Sequence, residues 1–233
     1  MRNKNNKSNL VKVMTSQKDI IIHLFEDKME YLKLLGRAWE VLYFEGHSPD
    51  VGKRRENFII QMLKKEFGLN IEQAPDTERE WDFKIVFSNR SERYYNLKTT
   101  EGYTTVKLAW DGFPTIDRIL NFEFHYNILY VVGNKQEHTI EMSVIDIEDL
   151  KEIQRKTTEE TLSEYWWIPK SGTNPRGFGL NTKTVKKLVD KAKLKGNYIK
   201  TGYEPIPPIK IEELRDKYFE EWYELIKRIA MEE

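Results

Sequence analysis

The chain has 233 residues, a length that suits one large domain or one domain with a small appendage. Its 38 basic and 38 acidic side chains cancel, so the net charge alone does not indicate an acidic partner such as DNA. The absence of cysteine excludes a disulfide framework, a thiolate nucleophile and a cysteine zinc site. Its four scattered histidines disfavour a histidine metal site or a catalytic triad.

The hydropathy pattern contains no apolar run as long as the ~18 residues of a membrane-spanning helix, which argues against a membrane partner. The polar, basic N-terminus has no long apolar core of the kind found in secretion signals. We therefore expect a cytoplasmic protein.

The pattern along the chain divides it into three parts. Residues 1–16 are polar and basic, and we expect a flexible arm. Residues 17–204 carry helical and strand patterns that we expect to form a single domain, including a loop and a basic helix at about 166–200. Residues 205–233 begin with a proline-rich linker and continue as an amphipathic helix, which we expect to pack on the domain.

The first strongly patterned helices are at 19–44 and 52–68. In the second, Ile59, Met62, Leu63 and Phe67 recur at helical spacing and Gly68 is a natural C-terminal stop. Glu56 lies in the first turns of this helix. As a surface residue it would complement the helix dipole, and that reading stays open beside a functional one.

Two strand patterns follow, at 81–87 and 94–99, joined by a short polar turn. Pairing them as a hairpin centred near Arg90 places Asp82 across from Lys98, with Asn96 as a diagonal neighbour. A slip of one residue would move Asp82 and Lys98 to opposite faces and mismatch the apolar faces. The hydrophobic pattern therefore predicts a polar cluster of these three side chains.

This cluster suits metal-assisted hydrolysis of a phosphodiester. Asp82 offers a hard oxygen ligand for Mg²⁺, and the amide oxygen of Asn96 offers a weaker one. Lys98 would hold the attacking water and offset negative charge that develops on the phosphate oxygens. The alternative is a solvated Asp–Lys pair across an exposed hairpin, which contributes only a few tenths of a kcal/mol.

Further along the chain, residues 126–132 form an apolar run that predicts a strand buried on both faces, and 139–147 reads as its hairpin partner. A helix is expected from about 146 to 154. Residues 166–169 lead into 170–179, which reads as a mobile loop. In this loop, Arg176 and Asn174 are candidates for contacts with guanine and adenine, respectively. An ordinary surface loop is the alternative.

Charge is unevenly distributed near the C-terminal end of the domain. Residues 170–200 contain nine basic side chains and one acid, whereas 137–164 contain nine acids and three bases. The segment 182–195 predicts a helix, capped by Asn181, that turns lysines outward. We expect phosphate contacts from Lys183, Lys186, Lys187 and Lys191, with a merely solvated helix face as the alternative.

The order of a helix with Glu56, a strand with Asp82 and a strand with Asn96-x-Lys98 resembles the PD-(D/E)XK nuclease superfamily, most closely its small type II restriction endonucleases. The resemblance implies an α/β (α+β mixed) fold with a central mixed β-sheet flanked by helices. It implies that Glu56, Asp82 and Asn96 are the Mg²⁺ ligands and that Lys98 is the catalytic lysine. Asn96 departs from the pattern, where a carboxylate is usual, and Asp76 is a rival for the role of Asp82.

The resemblance also implies a function: Mg²⁺-dependent, sequence-specific cleavage of double-stranded DNA at a short palindrome. One subgroup of similar size is the ThaI-like group, which cuts a GC-only palindrome. Such enzymes commonly act as homodimers, and we expect a cognate methyltransferase in the same system. Two alternatives stay open: a noncatalytic DNA-binding module of the same fold, favoured by Asn96, and a structure-specific repair nuclease.

Overall fold

The structure is a computed structural model, and it describes residues 18–45, 50–75, 78, 80–169 and 176–206, together with 224, 227, 228, 230 and 231. The predicted arm at 1–16 therefore lies outside the described residues, as does most of the predicted C-terminal helix. The five described residues beyond 206 are helical. The division into arm, domain and C-terminal helix stays a prediction.

The helices, in chain order, are α1 (Ile20–Asp27), α2 (Met29–Glu45), α3 (Asp50–Lys65), α4 (Ile116–Leu120), α5 (Ile147–Arg155), α6 (Leu162–Tyr165) and α7 (Thr182–Leu194). The strands are β1 (Ile71–Gln73), β2 (Phe83–Val86), β3 (Glu92–Thr100), β4 (Val106–Ala109), β5 (Asn127–Asn134), β6 (Thr139–Ile145), β7 (Trp166–Trp167), β8 (Phe178–Leu180) and β9 (Tyr198–Gly202).

A six-stranded sheet in the order β1-β2-β3-β5-β6-β9 forms the centre of the molecule. The sheet is mixed, because β3 and β5 are parallel and every other neighbouring pair is antiparallel. Strand β5 is buried over nearly its whole length, as its apolar run predicted. The antiparallel β5–β6 hairpin and the helix α5 that follows it are confirmed as well.

The two faces of the sheet bury different cores. On one face, Tyr95 and Leu97 of β3 pack with the apolar side chains of α1, α2 and α3. On the other face, Ile128 and Tyr130 of β5 pack with α7 and with a second, three-stranded sheet in the order β4-β8-β7. The expected architecture, a mixed central sheet flanked by helices, is confirmed.

The observed register of the β2–β3 hairpin differs by two residues from the predicted one. Phe83 pairs with Tyr95, so that continuing the pairing by one residue places Asp82 across from Asn96, with Lys98 as the diagonal neighbour. The turn explains the difference: Phe87 N donates to Ser91 O at 2.9 Å, which closes a three-residue loop centred on residue 89. Arg90 occupies its last position with a φ of 65°. A two-residue shift keeps every side chain on its predicted face.

The second sheet was not predicted. Strand β8 begins inside residues 170–179, which the sequence pattern had indicated as a loop, so that interpretation was wrong at the end of the segment. Strand β7 lies in the stretch that leads into this loop, and it pairs with β8. Strand β4 completes the sheet by pairing with β8. Among the described residues, no helix is both long and apolar enough to cross a membrane.

Candidate active site

Three elements bring the predicted site residues to one end of the central sheet. Helix α3, which packs against β3, carries Glu56. Asp82 lies immediately before β2, while Asn96 and Lys98 lie two residues apart on β3 and so on the same face. The electrostatic influence of Asp82 and Lys98 on Glu56 places these charges within interaction range of one another.

Asp82 is part of the hydrogen-bonding pattern of the sheet. Its N–H donates to Tyr95 O at 2.8 Å, and its carbonyl accepts from Ala74 N at 2.9 Å. Its carboxylate Oδ2 accepts from Leu97 N at 2.6 Å, at the point where β2 has no further residue to pair with β3. One carboxylate oxygen is thereby fixed by the backbone, and this orients the group at the end of the sheet.

Asn96 is buried, with 2% of its surface exposed. Its Nδ2 donates to the carbonyl oxygen of Glu80 at 2.6 Å, which identifies the opposite atom as Oδ1. Among the described residues this Oδ1 has no hydrogen-bond donor. An unsatisfied buried acceptor costs about 1–3 kcal/mol, so it is expected where a ligand supplies the missing partner.

Glu56 carries a perturbed carboxyl group. Burial raises its pKa, the negative charge of Asp82 raises it further, and Lys98 and Lys53 lower it only in part, so that the pKa is about 7. Two carboxylates close together in a half-buried environment repel each other unless a cation lies between them. The charge of Asp82 therefore disfavours ionisation of Glu56, in addition to the effect of burial.

These groups fit one divalent cation. Two carboxylates and an amide oxygen without a donor are the hard oxygen ligands that Mg²⁺ takes, with water completing its shell. No group of three or more His, Cys, Asp or Glu side chains with metal-binding geometry occurs in the described ranges. With Asn at position 96, Glu56 and Asp82 are the only acids in this set of predicted ligands. The rival Asp76 lies outside the described residues.

Sequence reasoning missed Tyr126, which lies just before β5 and is 1% exposed. Its hydroxyl has no hydrogen-bond partner within the described part of the chain. Burial raises the pKa of Tyr126, and the carboxylates of Glu80 and Asp82 raise it further, so the hydroxyl stays protonated beside the site. The only sequence signal for its position beside the site is its place at the start of a buried strand.

The candidate DNA contacts are dispersed over one helix and one loop. On α7, Lys183 is exposed, Lys186 lies 5.9 Å from the ring of Tyr103, and Lys187 is 3.5 Å from a carboxylate oxygen of Glu164. Tyr103 follows β3 closely, and so Lys186 lies near the site end of the sheet. Arg176 is exposed, and Asn174 lies outside the described residues.

Lys191 differs from the other lysines of α7. Its Nζ lies 2.7 Å from Asp149 Oδ1 and also contacts Glu152 on α5. Asp149 is itself buried, with 3% exposure. A lysine held by two carboxylates anchors α7 to α5, and in this arrangement its charge is already compensated.

No protein-family model matches the chain, and no curated protein sequence matches it either. Among solved structures, the chain is similar to one described as "Restriction endonuclease in complex with substrate DNA", with a TM-score of 0.55 and 21% sequence identity. The similarity covers 90% of this chain and 95% of that chain. At this identity it shows the fold, which is restriction-endonuclease-like, and it does not select the ThaI-like group.

Proposed function

We propose that this protein is a Mg²⁺-dependent endonuclease that cleaves double-stranded DNA at a short specific sequence, as type II restriction enzymes do. The observation that carries the proposal is that the charges of Asp82 and Lys98 act on Glu56, while the observed register sets Asp82 across from Asn96, in a restriction-endonuclease-like sheet. The raised pKa of Glu56 and the unpartnered Oδ1 of Asn96 support a cation at this place. That the similar solved structure is a restriction endonuclease with substrate DNA supports the same function.

In the proposed mechanism, Glu56, Asp82 and Asn96 would hold Mg²⁺, and the ion would supply Lewis-acid chemistry at the scissile phosphate. Lys98 orients the attacking water with its ammonium group and stabilises negative charge on the phosphate oxygens. Asp82 keeps its orientation through the hydrogen bond from Leu97 N. Because these residues lie on strands and a packed helix, their geometry is held more closely than loops would hold it.

The proposed DNA contacts follow from the same assignment. Lys183, Lys186 and Lys187 would meet phosphates, while Lys191 would first have to leave Asp149 and Glu152. Asn174 and Arg176 are the proposed base contacts. A homodimer would match a palindromic site, a cognate methyltransferase would protect the host genome, and a GC-only target would place the enzyme in the ThaI-like group.

Digestion of phage DNA with the purified protein tests the proposal. We expect discrete fragments in Mg²⁺ and intact DNA in EDTA, because the carboxylates need the cation in order to act. Smeared products, or cleavage of branched junctions only, would instead indicate a structure-specific repair nuclease.

A noncatalytic DNA-binding module is the second candidate. The replacement of an acid by Asn96 favours it, since one negative charge is lost from the ligand set. Specific DNA binding without cleavage in Mg²⁺ or Mn²⁺ would establish this alternative. Restoring the acid with Asn96→Asp, and finding that cleavage then appears, would show that the amide alone had removed activity.

A further inference from the structure

The loop that follows β4 exposes two large aromatic side chains. Trp110 is 51% exposed and Phe113 is 68% exposed, and they are the only aromatics among the large apolar side chains exposed in the described ranges. An exposed Trp–Phe pair on a soluble domain is unusual, because each ring loses favourable burial. This pair, with the residues between, is called the aromatic loop (residues 110–113).

The aromatic loop is held in one conformation by its neighbours. Arg118 on α4 donates to the backbone carbonyl of Asp111 and, at 2.9 Å, to its Oδ1. Gly112 has a φ of 63°, and its carbonyl accepts from Gly177 N at 2.8 Å. Thr115 N donates to Phe113 O at 3.0 Å. The rings are therefore displayed on a fixed backbone, which reduces the entropy lost when a partner binds.

Positive charge accompanies the two rings. Lys107 Nζ lies 4.3 Å from the ring centroid of Trp110 and 5.9 Å from that of Trp167. The exposed Arg176 is next to Gly177, which is hydrogen-bonded to the loop. The acid within the loop, Asp111, is paired with Arg118. An aromatic ring can stack on a nucleobase while a neighbouring ammonium group contacts the phosphate, so this arrangement is complementary to a nucleotide.

The size of the patch disfavours a protein partner. A fully exposed Trp or Phe side chain presents about 150–250 Å², so two half-exposed rings offer on the order of 250 Å². A stable protein–protein interface needs roughly 800 Å² from each partner. Single nucleobases, by contrast, each need one ring face, which this loop supplies.

The aromatic loop is close enough to the candidate active site to contact the same DNA. Thr104 N donates to Tyr130 Oη at 3.2 Å, and Tyr130 pairs with Lys98 across β5 and β3. Trp110 is six residues beyond Thr104, so at most about 20 Å of extended chain separates them. One turn of duplex DNA spans about 34 Å, which exceeds the separation of Trp110 from Thr104, the residue bonded to the strand partner of Lys98.

We propose that the aromatic loop is a base-contacting element, in which the rings of Trp110 and Phe113 pack against unstacked nucleobases of DNA bound at the Glu56–Asp82–Asn96–Lys98 site. The inference rests on the proposed endonuclease function. It adds that the enzyme unstacks bases of the bound DNA duplex. Opening a base step costs less at some sequences than at others, so such contacts contribute to sequence selectivity.

The test uses the full chain and a duplex carrying a site mapped from phage DNA fragments, with 2-aminopurine placed at successive positions. Lys98→Ala serves as a cleavage-deficient background, and Trp110→Ala and Phe113→Ala are added to it singly and together. We expect 2-aminopurine fluorescence to rise at one step on binding, and each substitution to weaken binding about tenfold or more and abolish the rise. Leu194→Ala, at an exposed apolar residue on α7, is the matched control and should change neither.

Two results would overturn the inference while leaving the proposed function intact. One is tight binding and a full fluorescence rise in the Trp110→Ala, Phe113→Ala double variant, together with rapid cleavage when Lys98 is restored. The other is conversion of a dimer to a monomer by this double variant in sedimentation, which would assign the aromatic loop to a second copy of the chain. If the unmodified protein neither binds nor cuts phage DNA, the proposed function fails, and the inference fails with it.

Discussion

Strand β3 has a cluster of polar side chains beside each half, and the two clusters differ in whether their polar atoms have partners. At its beginning, the buried carboxylate of Asp19 accepts from Ile21 N at 2.9 Å, from Tyr95 Oη at 2.8 Å and from Arg93 at 2.9 Å. Burial raises the pKa of Asp19, and the opposing charge of Arg93 and these donors lower it in part. A buried acid surrounded by donors and a cation is characteristic of a structural ion pair.

Toward its end, β3 lies beside Glu56 and Asp82 and carries Asn96 and Lys98, and the described residues do not supply every partner that these groups need. Glu56 and Asp82 repel each other, and Asn96 Oδ1 has no donor among the described residues. The comparison teaches that burial and raised pKa values alone do not identify a functional site, since Asp19 has both. What distinguishes the cluster near Lys98 is an acceptor, Asn96 Oδ1, that has no donor among the described residues.

The largest expected effect is on cleavage. Lys98→Ala should reduce the cleavage rate at least about 1000-fold, because it removes the cation that would stabilise charge in the transition state, while DNA binding stays largely intact. Lys84→Ala is the matched control, since Lys84 lies on the neighbouring strand but is paired with Glu92 at 2.7 Å and Glu72 at 3.1 Å. Cleavage at the wild-type rate by the Lys98 variant would remove this residue from the mechanism.

A substitution in the Asp19 cluster, at the beginning of β3, should change the stability of the fold and leave cleavage unchanged. Asp19→Ala leaves the buried hydroxyl of Tyr95 without its acceptor, while the partly exposed Arg93 can turn to water, so we expect a loss of about 1–3 kcal/mol in the free energy of unfolding. Urea unfolding measures this change. The fraction that remains folded should cut DNA normally. A loss of cleavage in this folded fraction would mean that Asp19 is needed for function as well as for stability.

The perturbed carboxyl of Glu56 predicts a pH dependence. The unfolded chain releases this proton near pH 4.5 and the folded chain only near pH 7, so stability falls as the pH rises through this window and stays lower above it. The loss is at most about 3 kcal/mol. Glu56→Gln should remove it, which unfolding midpoints at pH 5 and pH 8 would measure.

Mg²⁺ should act on the same group. Because a cation favours the ionised carboxylate, Mg²⁺ should raise the unfolding midpoint of the wild-type protein at pH 8 and have much less effect at pH 5. The Glu56→Gln variant should respond weakly at both values. Equal stabilisation of wild type and variant would mean that the cation binds elsewhere.

The smallest effect is expected on α7, where compensated and uncompensated lysines can be compared. Replacing Lys186 and Lys187 by Ala should weaken DNA binding across sequences and reduce the slope of log affinity against log salt by about two. Lys191→Ala should change the slope less and the stability more, because its ammonium group is already paired with Asp149 and Glu152. A slope unchanged by the double substitution would mean that Lys186 and Lys187 only face solvent.

The sequence assigned side chains to the correct faces where one periodicity determined the answer. The period-two pattern assigned Asn96 and Lys98 to one face of β3, and the helical stripe of α3, with the family resemblance, directed attention to Glu56. The register could not be predicted as well, because it depends on a turn in which Arg90 adopts a left-handed conformation that its residue type does not favour. Any even shift satisfies the hydrophobic pattern equally.

Features that depend on distant segments were not predictable. Strands β4 and β8 are about 70 residues apart and only three or four residues long, so neither carries enough pattern by itself. In the same way, the sequence indicated that the lysines of α7 face outward, but not that Asp149 lies opposite Lys191. Tyr126 was missed because an aromatic residue at the start of a buried strand is ordinary.

The hydrogen bond from Leu97 N to Asp82 Oδ2 has a consequence for how this protein can diverge. In the proposed site, Asp82 would hold the cation in addition to its bond with the backbone of β3, whereas Lys98 makes no comparable hydrogen bond with the sheet among the described residues. If the proposed cleavage were lost in a relative, position 98 would be free to vary while position 82 would remain constrained. An aspartate at position 82 together with a substituted lysine at position 98 would indicate a protein that has lost cleavage activity. The aspartate alone would therefore be a poor indicator of activity.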